Sequence, residues 1–191
     1  MWMKKSVSPA KGAIAGLIGG LFASWVMNQF QAGVSKVSQR HKKEEAEEDG
    51  GWAEQARAEQ RQQASGGERE DEPATVQAAV AIAENLFHQE LEPEQKKPAG
   101  AIVHYAYGAA IGALYGWAAE RSDVARTASG TLFGAAVWFG SDEIGVPMFG
   151  LSRAPDEYPL STHASALAAH LVYGVTTELV RRSLRRGYLS S

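Results

Sequence analysis

Two histidines occur in the same short pattern, each within a long uncharged stretch of the chain. His104–Gly108 reads H-Y-A-Y-G and His170–Gly174 reads H-L-V-Y-G, so both follow H-x-x-Y-G. Histidine gains or loses a proton near neutral pH, and it also binds metals. An ionisable side chain inside an apolar helix is costly in lipid, so it marks a candidate functional position. The repeated pattern also indicates an internal duplication.

Two adjacent carboxylates accompany these histidines. In the stretch from Thr127 to Ser152, Asp142 and Glu143 are the only charged residues. If the helices alternate in direction, the two carboxylates reach the same depth as both motifs. The predicted polar pocket comprises His104, Tyr107, Asp142, Glu143, His163, His170 and Tyr173.

Three interpretations of this pocket remain open. In the first, each histidine makes one interhelical hydrogen bond, worth about 0.6 kcal/mol, and Asp142 and Glu143 mark the water interface. In the second, the set is a proton or ion relay. In the third, His163, His170 and His104 are weak candidates to bind zinc or manganese, although no H-x-x-x-H or H-E-x-x-H motif is present.

The same residues give no support to nucleophilic catalysis. The chain has no cysteine, which removes thiolate chemistry, disulfides and cysteine metal sites. No Ser-His-Asp arrangement is recognisable either. We therefore predict no catalytic residue and no cofactor, and a non-enzymatic protein is favoured.

The elements that must position the pocket are four long runs of low charge. They cover residues 12–35, 98–119, 127–152 and 158–177, and each is at least 20 residues long. A helix of about 20 residues crosses the hydrocarbon layer of a membrane. A soluble four-helix bundle is the alternative, but it would show a polar stripe that Gly12 to Phe30 lacks. The predicted fold is all-α: an integral membrane four-helix bundle of two helical hairpins, with one amphipathic interfacial helix.

The predicted boundaries divide the chain into seven segments. They are a cytoplasmic tail and first transmembrane helix (1–38), an acidic, disordered insert (39–74), an amphipathic helix (75–92), three further transmembrane helices (98–120, 126–150 and 160–182) and a basic C-terminal tail (183–191). The insert has almost no large apolar residues with which to form a core. The first run is too long for the apolar region of a signal peptide, so it is interpreted as an uncleaved span.

Glycines recur every four residues in these runs, which is typical of closely packed membrane helices. The predicted packing positions are Gly12, Gly16, Gly20, Gly108, Gly112, Gly116, Gly130, Gly134 and Gly174. Such stripes serve packing within one chain or between copies, so a homo-oligomer stays open. The lipid bilayer is the predicted partner, and no nucleic-acid partner is expected.

The distribution of basic residues predicts the orientation. Nine Lys and Arg residues of the N-terminal tail, the connection between spans two and three and the C-terminal tail fall on one side, whereas the connection between spans three and four has Arg153 alone. Cytoplasmic segments carry the excess of positive charge, so both termini are predicted to be cytoplasmic. Glu178, four residues before Arg182, is interpreted as half of a surface ion pair.

Three segments resemble a known family. They are His104–Gly116, Trp138–Leu151 with its S-D-E-x-x-x-P core, and His170–Glu178. They look like the YagU-like (DUF1440) family of bacterial inner-membrane proteins of unknown function. The resemblance covers the first span and residues 75–182, and the acidic insert looks particular to this chain. It implies four spans and the bacterial inner membrane, and it supplies no catalytic residues.

Together, the pocket and the resemblance lead to three functional hypotheses. The first is a multi-pass inner-membrane protein involved in envelope or acid stress through the His/carboxylate pocket. The second is a proton- or ion-coupled conduit or transporter, which with four spans would need to oligomerise. The third is a membrane metalloprotein.

Overall fold

The computed structural model describes residues 8–48, 72–122 and 128–187. The helices are α1 (Pro9–Glu48), α2 (Ala74–Leu86), α3 (Pro93–Ala119), α4 (Thr131–Trp138) and α5 (Leu160–Arg186). A π-helical segment, Phe139–Gly145, and one further turn, Val146–Met148, continue α4, and a short 3-10 turn, Pro155–Glu157, precedes α5. All regular elements in these ranges are helical, which confirms the all-α prediction.

The helices depart from the predicted boundaries at their ends. α1 continues through residues 39–48, which were assigned to the disordered insert. The Glu, Lys, Arg and Ala of this stretch are good helix formers, and extending an existing helix needs no new nucleus. α3 begins at Pro93 rather than at residue 98, and α5 extends to Arg186. Residues 49–71 of the insert and 188–191 of the tail lie outside the described residues.

α1 and α3 pack backbone to backbone through their glycine stripes. A Cβ added at Gly16 would lie 2.8 Å from Gly116 Cα, and one added at Gly112 would lie 2.8 Å from Gly20 Cα. Real Cβ atoms do not come so close to another atom, so these positions exclude every larger residue. Because Gly12 faces Gly116 and Gly20 faces Gly108, the two helices are antiparallel.

The second pair of helices repeats this arrangement. A Cβ on Gly134 would lie 2.9 Å from the carbonyl carbon of His170, and one on Gly174 would lie 2.8 Å from Gly134 Cα. α4 and α5 are therefore also antiparallel. A Cβ on Gly19 would lie 2.8 Å from the carbonyl oxygen of Thr177, which places α1 against α5 as well. α1 thus lies between α3 and α5, α4 packs on α5, and α2 packs on α3.

Large apolar side chains are exposed along α1, whereas several polar and charged side chains are buried. Large apolar side chains on one side of α1 are each 43–53% exposed: Ile14, Leu17, Ile18, Leu21, Phe22 and Trp25. The largest fully buried side chains are those of Glu178, Thr177 and Ser24, and most of the buried apolar residues are alanines. Soluble monomers rarely expose so continuous an apolar surface.

Hydropathy singles out the first helix. Among the described helices, α1 is long and apolar enough to cross a membrane over Pro9–His41, where its mean hydropathy reaches 1.4. A core helix of a soluble protein or an N-terminal signal sequence has the same properties, so this finding alone suggests membrane association weakly. Within residues 72–122 and 128–187, the helices at the other three predicted spans do not meet the same test.

Two glycines of α1 provide a matched test of the close packing. Gly16→Ala introduces a methyl group against α3, and we expect it to lower the free energy of unfolding by about 1–3 kcal/mol. Gly33→Ala places the same group where nothing lies within 4 Å, and the better helix propensity of alanine should raise stability by up to ~1 kcal/mol. Denaturant unfolding in detergent, followed by circular dichroism, measures both. Equal effects would show that α1 and α3 are not in backbone contact.

Candidate functional site

The two H-x-x-Y-G motifs meet inside the bundle. The Tyr173 hydroxyl of the second motif donates a 2.6 Å hydrogen bond to the carbonyl oxygen of Gly108 in the first. The corresponding Tyr107 does not make the equivalent bond, because its hydroxyl lies 2.5 Å from Ser141 Oγ on the π-helical segment. The two motifs are therefore neighbours in space, but their tyrosine hydroxyls bond to different groups.

The π-helical segment positions both carboxylates. Its turns are wider than those of an α-helix, and the N–H of Val146 bonds to the carbonyl oxygen of Ser141, five residues earlier. Pro147 contributes to this geometry because it has no N–H with which to continue an α-helical ladder. Asp142 and Glu143 are consecutive residues on this segment, so their side chains point in different directions.

Each carboxylate faces a different histidine of α5. Glu143 Oε1 lies 2.6 Å from His163 Nδ1, and the Nε2 atom of the same ring lies 3.0 Å from the carbonyl oxygen of Pro155. Asp142 Oδ2 lies 3.6 Å from His170 Nδ1, which is beyond hydrogen-bonding distance. His170 Nδ1 instead lies 2.9 Å from the carbonyl oxygen of Ala166.

A cavity of about 660 Å³, which we call the main cavity, opens between these elements. Five of the seven predicted pocket residues line it: His104, Tyr107, Asp142, His170 and Tyr173. Ser24 and Asn28 of α1 and Ser141 add polar atoms to its wall, and the N-terminal end of α2 covers part of it. Sequence reasoning did not assign these α1 residues to the pocket, although Ser24 and Asn28 are among the few polar residues of their run.

The other two predicted pocket residues lie in a neighbouring space. Glu143 and His163 line a second cavity of about 420 Å³, the side cavity, together with Arg153 and Tyr158. Asp142 lines both cavities. The predicted single pocket is therefore divided in two, with Asp142 at the boundary.

Two polar groups of the main cavity have incomplete partners. Among residues 8–48, 72–122 and 128–187, the Asp142 carboxylate accepts no hydrogen bond, and its side chain is 36% exposed. His104 Nε2 is fully buried and also has no hydrogen-bonding partner in these ranges. Buried polar atoms are normally satisfied, so His104 Nε2 is an exception, as are Tyr115 Oη and Trp138 Nε1 elsewhere in the described residues.

The described side chains do not assemble a metal shell. In the parts of the chain that the structure describes, no three His, Asp or Glu side chains are placed to hold one ion. His163 and His170 face different carboxylates, in different cavities. These residues therefore provide no set of three ligands for the predicted metal site.

A buried arginine–glutamate cluster joins α3 to α5 at the opposite end of the bundle. Its members are Glu120, Glu178, Arg181, Arg182 and Arg185. Arg181 donates 2.6 and 2.9 Å bonds to the two oxygens of Glu178 and reaches Glu120 at 3.2 Å. Arg185 binds both oxygens of Glu120 at 2.9 Å, and Arg182 also bonds to Glu178.

Glu178 pairs with Arg182 as predicted, but its predicted surface location was wrong, because its side chain is 0% exposed. Arg181 and Arg185 are also buried, at 3% and 5% exposed, so they do more than anchor the C-terminal tail. The sequence contained a signal for this arrangement. Glu178, Arg181 and Arg185 continue the helical face of His170, a predicted pocket residue, and Gly174, a predicted packing position.

Fold and site together define a class of helical protein with small, charged and polar groups inside and large apolar groups outside. Within this class, the chain belongs to the family described as "Protein of unknown function (DUF1440)", whose model matches residues 57–179. The predicted resemblance to this family is confirmed. No curated protein and no solved structure matches the chain significantly.

The matched range differs from the predicted extent of the resemblance. It starts at residue 57, so it includes the second part of the insert that was predicted to be particular to this chain. It leaves out α1, which lies entirely before the matched residues. Both H-x-x-Y-G motifs and the π-helical segment fall inside it.

Removing one member of the arginine–glutamate cluster tests its structural role. Glu178→Ala leaves Arg181 without its closest partner, and we expect a loss of about 3–5 kcal/mol in the free energy of unfolding. Adding Arg181→Met should recover part of this loss, because the uncompensated charge is then removed as well. Glu94→Ala, in the exposed first turn of α3, is the control and should change stability by less than about 0.5 kcal/mol. A Glu178→Ala protein as stable as the control would contradict the cluster.

Proposed function

We propose that this chain is a non-enzymatic, multi-pass protein of the bacterial inner membrane whose main cavity is its functional centre. In this proposal α1, α3, α5 and the helix formed by α4 with its π-helical continuation span the bilayer. The cavity takes up protons when the outside becomes acidic, which connects the protein to envelope or acid stress. The support for this proposal is physical, since the family is described as having unknown function.

The observation that carries the proposal is the inverted distribution of polarity. In lipid, large apolar side chains belong on the outside, and helices associate through small residues and interhelical hydrogen bonds. The exposed side of α1 and the glycine contacts with α3 and α5 fit this pattern. Charged groups inside membrane helices are paired or line cavities, as the arginine–glutamate cluster and Asp142 do.

The ends of the helices support the proposed orientation. Gly12 of α1 lies beside Glu120 at the end of α3, and Glu120 pairs with Arg185 near the end of α5. A Cβ on Gly130, just before α4, would lie 3.0 Å from Glu178 Cβ, so α4 starts at the same end. This end carries most of the basic residues outside the insert, so it is proposed to face the cytoplasm.

Single-cysteine labelling tests insertion and orientation, because the natural chain has no cysteine. We expect Ser152→Cys to react with a membrane-impermeant maleimide in intact spheroplasts. Ser8→Cys and Gly187→Cys should react only after the cells are permeabilised. All three proteins should stay in the membrane fraction after an alkaline wash. Release by that wash, or equal labelling of all three positions in intact cells, would overturn the proposal.

A second candidate function is a proton conduit, and one observation favours it. Asp142 lines both cavities, and a second carboxylate–histidine pair, Glu143 with His163, follows in the side cavity. Together these groups make a series of sites that can exchange protons along one side of α5. A conduit differs from the first function in one respect. Protons that enter the cavity must also leave it on the other side of the bilayer.

Proton flux into liposomes separates the two functions. A conduit should dissipate an imposed pH gradient faster than protein-free vesicles, and His170→Ala should return the rate to that of empty vesicles. His88→Ala, at an exposed position after α2, is the control and should leave the rate unchanged. Reconstituted protein that fails to dissipate the gradient would exclude the conduit and leave the first function.

A further inference from the structure

We propose that the main cavity binds an organic cation that has an apolar body and one positive charge. This inference rests on the proposed function, which makes the same cavity the functional centre, and it adds the chemical class of the ligand.

The walls suit an apolar body. Apolar side chains from three parts of the chain line the cavity: Met27 of α1, Val137 of α4, and Val146, Phe149 and Leu151 after the π-helical segment. At about 660 Å³ the cavity falls within the usual range for small-molecule sites, roughly 300–1,000 Å³. Ligand pockets typically combine such walls with a few polar groups that fix the orientation of the ligand.

Asp142 supplies the negative charge. His170 directs Nδ1 to the carbonyl oxygen of Ala166 at 2.9 Å and stays 3.6 Å from Asp142, so it gives this carboxylate no hydrogen bond. Glu143 differs, because its oxygen lies 2.6 Å from His163. A carboxylate at the edge of an apolar space attracts a cation more strongly than it would in water, since the dielectric screening is weaker.

The remaining groups of the cavity favour a cation over an anion. None of the described residues that line it is Lys or Arg. The titratable groups that line the main cavity beside Asp142 are His104 and Tyr107 of α3 and His170 and Tyr173 of α5. Asp142 also borders the side cavity, where Glu143 pairs with His163 and where Glu72, Arg153 and Tyr158 are the other titratable side chains. Among the described residues that line the main cavity, Asp142 is the one carboxylate. Tyr107 and Tyr173 also offer aromatic rings, whose faces attract cations.

Two ions of the same shape and opposite charge test this inference. We expect the purified full chain in non-ionic detergent at alkaline pH to bind tetraphenylphosphonium in equilibrium dialysis, and not to bind tetraphenylborate. Asp142→Asn should weaken the binding of tetraphenylphosphonium about tenfold or more, because the side chain keeps its shape and loses its charge. Asp142→Glu keeps the charge and should retain the preference for the cation.

Glu94→Gln is the matched control. It makes the same change from carboxylate to amide at an exposed position in the first turn of α3, outside both cavities, so affinity for tetraphenylphosphonium should stay within about twofold of that of the natural protein. The thermal unfolding of each variant in the same detergent shows whether it is folded. Equal binding of both ions, or unchanged affinity of folded Asp142→Asn, would overturn the inference.

The two proposals fail in different ways. Absence of tetraphenylphosphonium binding by a protein whose cysteine labelling shows the expected membrane insertion overturns the organic-cation site and leaves the proposed membrane function standing. Release of the protein from membranes by the alkaline wash overturns the membrane proposal, whatever the dialysis shows.

Discussion

The contact on which the rest of the structure depends is the backbone approach of α1 to α3 and α5. Glycine at Gly16, Gly19 and Gly112 lets helix axes come so close that no larger residue fits between them. Several long side chains of α1 lie on the outside, as Trp25 and Phe22 do, and most buried apolar residues are alanines, with Met27 and Tyr115 among the larger ones. The apolar exterior and polar interior are two consequences of this one constraint. In the membrane that we propose as its environment, dispersion between close backbones would replace the hydrophobic effect that holds a soluble bundle together.

The main cavity begins where this close approach ends. α1 and α3 are in backbone contact up to Gly20 and Gly108, and one turn further Ser24 fills the space beside Gly108. Beyond that level Met27 and Asn28 of α1 line open space, opposite the π-helical segment. The wider turns of that segment displace Asp142 and Glu143 from positions that an α-helix would give them. The cavity therefore has two local causes. The glycine stripe between α1 and α3 ends, and the π-helical segment interrupts the α-helical hydrogen bonding.

Local sequence patterns are sufficient to predict the features that depend on residue type and spacing within one helix. Helices, glycine contacts and the meeting of the two H-x-x-Y-G motifs follow from composition and helical periodicity. The division of the pocket does not, because it depends on whether residues 139–145 form an α- or a π-helix, and the sequence does not distinguish the two. The burial of Glu178 was missed because its spacing from Arg182 fits a surface pair equally well. Only the packing of α3 and α5 on α1 brings Glu120 close enough to complete a buried cluster.

The two ends of the bundle differ in how their charges are compensated. At one end, Glu178 and Glu120 each bind more than one arginine, and Arg181 joins them, so every carboxylate oxygen has a donor. Such a cluster holds α3 and α5 in a fixed relation and leaves little affinity for an added ion. At the other end, Asp142 borders an open cavity with a histidine at 3.6 Å and no hydrogen bond within the described ranges. A charge that the protein leaves incompletely compensated in apolar surroundings can be stabilised by a proton or by an external cation. This difference in compensation, rather than the number of charges, separates the structural end of the molecule from the end where we propose a ligand site.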